Sequence, residues 1–533
     1  MIDKALWEFS RIDDLYERFH PYSPYGKRLK KRCPVYYEVK ELDHEHRLME
    51  LFLSYLTDPV KTVKLDQLKA RLTRIMLIPT VTEQILDLAE IFLIKRFVVN
   101  SWGIYGELKD SFATFFDFNT FPYELMELLA LGQGQTESFT LTGDYDGRLT
   151  GVRAEIDALL NEEQTLVRDY YAVCEKTLDL DFSSRDFLIV PDALYGRLSQ
   201  HMHLVNIEIY DESHLLVRPV WSQKLIVLRR KIYELRAEES SFEKDVLRRI
   251  SEQIATAGGE LQRLCEILGR LDCALAKAEL AVKYGMTRPK IADELTVRQG
   301  RLLSLEQECG ENGREYTPLN VSLSDKGALL YGSNMGGKTV VMRTIAFLQL
   351  LTQCGFFVPA GGFVTRIYRS LQFVGANERR SFKGLSSFGC EVWEMQEKWA
   401  QGEFPRFFVI DEFAATTNAR EATALSNALL YELHREPGTY YLMATHYVDK
   451  RHEVKDLKIW HMQGIDHHKL QSLRDAFDAA STLTEKVRLL TSCMVYRINE
   501  ESSLVKDEEA LMIAQLLGFN PNILARAKSY LEN

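Results

Sequence analysis

The sequence predicts a mixed fold: an all-α helical core and long helical lever arms with a small β insertion, followed by an α/β domain. Three observations predict it. Residues 1 to about 180 carry Leu, Phe, Tyr, Glu and Lys at helical spacing with few glycines and no sustained alternation. Residues 183–220 change to short runs that alternate apolar with polar. Beyond residue 291, apolar runs end in a glycine-rich turn and then in an acidic pair. A chain of 533 residues exceeds what one hydrophobic core organises. The expected division is 1–180 as helical core, 181–222 as β insertion, 223–290 as long lever helices, and 291–533 as the α/β domain with C-terminal helices.

Within the first segment the most basic piece is Gly26–Arg32, GKRLKKR. It reads as a solvated helix end, with a phosphate contact as the alternative. Thr140–Leu149, TLTGDYDGRL, holds turn formers that mark a break between helical units. Phe187–Pro191 and Val205–Tyr210 read as short strands, and His214–Val217 is placed to pair with the second. His201 and His203 sit beside them without further ligand types nearby, so they read as surface or packing histidines. From Gln223 to Tyr284 apolar residues recur three and four apart, as in Phe242, Val246, Ile250 and Ile254. The first of these helices, about 34 residues at 1.5 Å each, would span roughly 50 Å. Gly258-Gly259 interrupts the run and Thr287-Arg288-Pro289 closes it.

The chemistry-bearing stretch is Tyr331–Thr344, YGSNMGGKTVVMRT. Gly332, four residues, then Gly337-Lys338-Thr339 is the spacing of a P-loop, whose backbone N–H groups cradle phosphate oxygens. An apolar run, Gly327–Tyr331, precedes it, and Val340–Leu351 reads as a helix that would aim its N-terminus at a nucleotide. Gly332, Ser333, Asn334, Met335, Gly336 and Gly337 would follow the phosphates, Lys338 would supply a point charge, and the Thr339 hydroxyl is placed for Mg²⁺. Further on, Arg406–Glu412 (RFFVIDE) is an apolar strand ending in two carboxylates. Asp411 is assigned to the metal and Glu412 to the attacking water. Thr439–Tyr447, TYYLMATHY, is a second such strand, ending at His446. A histidine there reads as a contact to the γ-phosphate or its water, with a buried structural histidine as the alternative; strand carboxyl ends line the ligand crevice in open α/β sheets. Between them, Ser386 and Ser387 in FKGLSSFGCE precede a helix and read locally as a helix cap.

Composition limits the remaining classes. No run of eighteen apolar residues exists, and the N-terminal MIDKALWEFSRIDD is acidic and amphipathic rather than basic then apolar. The expectation is a cytoplasmic protein without a membrane segment. Eight cysteines without any C-x-x-C pair indicate reduced thiols rather than a disulfide framework or zinc site. A net charge of −10 argues against a broadly basic nucleic-acid binder but leaves room for a local basic stripe.

Together these motifs resemble the MutS family of ATPases. GSNMGGKT is similar to its P-loop, Gly355–Ala360 (GFFVPA) to the strand that follows, Gly384–Glu391 to its serine loop, VIDE to its Walker B strand and ATHY to its switch-histidine strand. Leu511–Glu532 resembles the closing helices that support the dimer, and Leu271–Pro289 the helix joining lever arm to ATPase. The likeness is specific over 271–533 and architectural over 1–270. It implies an α/β P-loop NTPase domain of ABC/MutS type, binding ATP with Mg²⁺, and a homodimer with composite sites. In that dimer Ser386 or Ser387 reaches the nucleotide of the other subunit.

The sequence also departs from the family. After Asp411-Glu412 stands FAATTNAREA, without the glycines of the family's inter-subunit loop. Gly-Lys-Thr-Val replaces Gly-Lys-Ser-Thr, as in the paralogue branch outside mismatch repair, and Gly300-Arg301-Leu302-Leu303 stands for Gly-Arg-His-Pro. No Phe-x-Glu occurs, so the wedge of the N-terminal mismatch reader is missing, and the expectation is an ATPase without mismatch readout. No counterpart of the paralogue branch's C-terminal nuclease domain is read either. Two targets follow from the resemblance. One is a DNA structure gripped through phosphate contacts. The other is a protein client, since some stand-alone MutS-like ATPases accompany adenosylcobalamin-dependent aminomutases, such as lysine 5,6-aminomutase, and are thought to reactivate them by cofactor exchange.

Overall fold

The computed structural model describes all residues except Met1, 81–83, 117–120, 135, 184, 324–325, 333–336, 376–385, 448–453, 480–481, 502–508 and 532–533. The chain forms two compact units, one of residues 71–267 and one of 1–70 with 268–533. The expected 1–180 core is therefore divided. Its first 70 residues belong with the α/β part, because helical periodicity reports a buried face but not what covers it.

In the 71–267 unit, helices Gly147–Leu178 and Gln223–Thr256 pack against each other. Leu225, Leu228 and Ile232 form an apolar seam with Leu159, Leu160 and Val167. Flanking ion pairs Arg153–Glu239, Lys231–Glu155 and Lys224–Glu162 run in opposite chain order, which makes the pair antiparallel. Exposed pairs of this kind contribute only about 0.2–1 kcal/mol each, so they set register more than stability. In sequence, between the two helices, comes a three-stranded sheet of β1 (Leu188–Pro191), β2 (Val205–Ile209) and β3 (His214–Pro219), in the order β1-β3-β2 and antiparallel throughout. Val190, Val205, Leu215 and Val217 face a core shared with Cys174, Leu178 and Phe182.

The other unit contains two sheets. The smaller comprises β4 (Lys290–Ile291), β5 (Leu295–Gly300), β6 (Leu319–Leu323) and, after β7 (Gly327–Tyr331), β8 (Gly362–Thr365). The larger adds β9 (Ser370–Gly375), β10 (Arg406–Asp411), β11 (Thr439–Ala444), β12 (Lys458–Ile465) and β13 (Met494–Glu501) to β7, in the order β13-β12-β7-β11-β10-β9. Only β13 is antiparallel to its neighbour. β7 and β11 therefore sit inside the sheet, and their sequences are correspondingly apolar on both faces. Helix Lys338–Gln353 follows β7 and is buried nearly all round, as its apolar sequence requires.

The N-terminal segment completes this unit. Ile2 makes a parallel bridge to Leu371, and the Asp3 N–H donates to the Leu371 carbonyl (2.9 Å), so the chain begins alongside β9. Phe9 stacks on Phe373 with ring centroids 4.1 Å apart. The stretch GFFVPA differs from the expected strand: only Val358 pairs, in a single bridge to Thr287. Phe356, Phe357 and Val358 are all buried, and such a run satisfies its apolar side chains without a ladder. Phe356 meets Phe19 edge-on and Phe357 meets His46.

Candidate functional site

The site forms at the carboxyl ends of β7, β10 and β11. After β7 the backbone turns at Gly332 (φ 129°) and again at Gly337 (φ 90°), both in the region that side chains disfavour. A Cβ at Gly332 would stand 3.1 Å from Cβ of Met462 on β12, so this close approach also needs glycine. Ser333, Asn334, Met335 and Gly336 lie outside the described residues. Helix Lys338–Gln353 opens at Gly337 with no side chain capping it, leaving its first N–H groups directed at the turn.

Lys338 is buried and its Nζ donates to the Gly332 carbonyl (2.7 Å). Nε2 of His446 lies 3.4 Å from the same amine. The Thr339 hydroxyl donates to Oδ2 of Asp411 (3.0 Å). Burial pushes the Asp411 carboxyl above the usual carboxylate range, opposed by the Thr339 hydrogen bond and by Lys338. Glu412, with φ 55°, turns its carboxylate to His446, Oε1 to Nε2 3.0 Å. That hydrogen bond holds Glu412 below its ordinary value against a partial burial penalty. Register places His446: β10 and β11 pair Asp411 with Ala444, and the Glu412 N–H continues the ladder to the Ala444 carbonyl (2.9 Å). Two residues on, the histidine faces the second carboxylate.

The structure thus brings Lys338, Thr339, Asp411, Glu412 and His446 together. Ser386 and Ser387 stand apart. Ser386 caps helix Ser387–Gln401 by accepting the Gly389 N–H (3.1 Å), and both serines are exposed. Among the described residues no hydrogen bond joins either one to the other five. Two residues that sequence reasoning missed also belong to the surroundings. Arg343, one turn beyond Thr339, carries its guanidinium over the Phe9 ring (5.1 Å) and exerts a favourable charge interaction on Asp411. A lone arginine in TVVMRTIAFLQLL was the available signal. Glu391 accepts from the loop after Glu412; it ends the segment likened to the serine loop, where only the serines were given a role.

A magnesium ion would need hard oxygen donors, and the Thr339 hydroxyl with the Asp411 carboxylate provides two of them side by side. The raised Asp411 also fits, because a carboxylate that burial disfavours is relieved by a cation. The donor set therefore suits the metal.

Residues 328–533 match the family model described as MutS domain V. The chain is 31% identical over 228 residues to the DNA mismatch repair protein MutS of Thermus aquaticus, covering 41% of this chain and 26% of that protein. It is 29% identical over 320 residues to the endonuclease MutS2 of Thermomicrobium roseum, covering 58% of this chain and 37% of that protein. A third relative, the DNA mismatch repair protein MutS of Natronomonas pharaonis, is 30% identical over 237 residues, 44% of this chain and 27% of its own. The chain therefore spans roughly a quarter to two fifths of the length of these relatives. Residues 328–533 are thus similar to MutS domain V, and the likeness to these relatives is partial.

Proposed function

We propose that this chain is a Mg²⁺-dependent ATPase of MutS type that turns ATP binding and hydrolysis into movement of its helical arms. The observation that carries the reading is the pairing of Thr339 with Asp411 and of Glu412 with His446 at the ends of neighbouring parallel strands, facing one helix N-terminus. On this reading the turn Gly332–Gly337 binds the phosphates through its N–H groups, and Lys338 exchanges the Gly332 carbonyl for a terminal phosphate oxygen. Thr339 and Asp411 would hold Mg²⁺, which would supply neutralisation of phosphate charge. Glu412, kept ionised by its hydrogen bond, accepts a proton of the attacking water and orients it, and His446 fixes that carboxylate.

Ser386 and Ser387, exposed at the head of their helix, serve the nucleotide of a second subunit. A homodimer is supported by apolar surface on the C-terminal segment, where Phe519 and Ile523 are each 53% exposed and Tyr530 is 74% exposed. The relatives' names are those of DNA mismatch repair proteins and an endonuclease, and DNA held through phosphate contacts is the first reading of the target. A protein client is the second. It is favoured by the β insertion, where the exposed Asp181, Asp186, Asp192, Glu208, Asp211 and Glu212 outnumber Arg185, Arg197 and Arg218.

The test of the ATPase is steady-state turnover with and without Mg²⁺, together with nucleotide binding. Lys338→Ala is expected to abolish ATP binding, while Glu412→Gln keeps ATP bound and lowers turnover by about a hundredfold or more. Wild-type turnover by Glu412→Gln would refute the assignment of that carboxylate.

A further inference from the structure

The loop that leaves the acidic pair holds two non-glycine residues in the left-handed region, Glu412 (φ 55°) and Ala414 (φ 65°). Such backbone costs about 1–2 kcal/mol per residue and persists where its surroundings over-determine it. At Ala414 the surrounding group is Glu391. Its Oε2 accepts the Ala414 N–H at 3.0 Å and its Oε1 accepts the Thr416 hydroxyl at 3.3 Å.

Glu391 lies in the first turns of helix Ser387–Gln401, whose N-cap is Ser386. The far half of that helix is anchored. Buried Lys398 donates to the Phe373 carbonyl of β9, pairs with Glu394 one turn back, and lies 2.7 Å from Oδ2 of Asp3. Asp3 in turn accepts the Phe373 N–H (3.3 Å). The helix is therefore fixed to the sheet edge at one end and tied to the loop after Glu412 near the other. A glycine-rich loop could adopt left-handed angles unaided. This loop has a carboxylate brace from the neighbouring helix instead.

We infer that Glu391 is a positioning residue: it holds the backbone two residues beyond Glu412, so that the Glu412 carboxylate meets His446, and passes displacement of the Ser386-capped helix to that pair. The inference rests on the ATPase reading above. Its motion-coupling element is a side chain reaching between two segments of one subunit, which gives the two serines a mechanical route to the water-orienting carboxylate.

The experiment compares the full chain with Glu391→Ala and Glu391→Gln in steady-state ATP hydrolysis and in amide hydrogen exchange over 412–417. Glutamine keeps an acceptor for the Ala414 N–H. The alanine variant is expected to lose about ten- to hundredfold in kcat with KM for ATP changed less than about threefold, and glutamine to recover most of the loss. Exchange at Ala414 should quicken in the alanine variant and return with glutamine. Unchanged kcat in Glu391→Ala, or a loss that glutamine does not repair, overturns the inference. Absence of turnover in the unmodified protein counts against the ATPase reading itself. In that event the exchange measurement still decides the brace, since unaltered exchange at Ala414 overturns it independently.

Discussion

Asp411 and Glu412 are adjacent in sequence, yet their surroundings drive the two carboxyl groups in opposite directions. Burial raises the first, and the His446 hydrogen bond lowers the second. Opposed pressures on neighbouring groups suit them to the two roles proposed above, one carboxylate to take a cation and the other to stay an ionised acceptor for water. A third titrating residue acts on stability alone. His46, on helix Val39–Leu56, is 2% exposed, and burial, reinforced by Arg288 and Lys277, pushes it down to about 3. The folded protein thus refuses a proton that the unfolded chain accepts below about 6.5. The corresponding stability is whole above that value and falls as pH drops from there towards 3. At pH 5 the loss should reach about 2 kcal/mol. Unfolding midpoints at pH 7 and pH 5, compared between the parent protein and His46→Leu, measure it: the variant should show the smaller drop, and equal drops would rule His46 out as the cause.

At the scale of elements, one ammonium group joins the N-terminal segment, β9 and helix Ser387–Gln401. Lys398, its side chain 8% exposed, faces Asp3 and Glu394 at 13% and 7%. Removing the cation from such a cluster leaves two buried carboxylates facing each other, which costs roughly 3–5 kcal/mol. Lys398→Met is therefore expected to lower the unfolding midpoint and to speed amide exchange across Lys4–Ser10; replacing Glu394 with leucine in the same chain should recover part of the loss. An unshifted midpoint in Lys398→Met would show that the cluster contributes nothing to stability. None of this was legible in the sequence, because Asp3 and Lys398 are 395 positions apart and each looks like an ordinary helix-end or helix-surface charge. What was legible had local causes. Gly332 and Gly337 announce the turn through spacing, RFFVIDE and TYYLMATHY announce interior strands through unbroken apolarity, and the helix Gln223–Thr256 announces its length through heptad-like repeats. GFFVPA was expected as a strand through its likeness to the family's segment, yet its run is buried with a single bridge and no ladder.

For the whole molecule, the proposed function leaves the target of the helical arms to be decided, and charge is the property that separates the two candidates. Among the described residues no helix is long and apolar enough to cross a membrane. A DNA partner must be held through its phosphates, and each phosphate neutralised releases condensed counterions. The logarithm of the binding constant then falls with the logarithm of salt with a slope of about −0.9 per contact. A net charge of −10 opposes this attraction over the surface as a whole, and the acidic β insertion opposes it where the long helices end. If the arms grip DNA, the basic contacts must be concentrated elsewhere along them. Turnover of ATP should then rise with duplex or branched DNA at low salt, and the stimulation should vanish steeply by physiological ionic strength. A protein client makes the opposite demand. Its surface would complement apolar and acidic groups, DNA would leave turnover unchanged at any salt concentration, and association would weaken only modestly with salt because fewer counterions are displaced. Measuring ATPase rate against salt, with and without a branched duplex, therefore separates the two. A steep salt-dependent stimulation refutes the protein-client reading, and a flat response at low salt refutes the DNA reading.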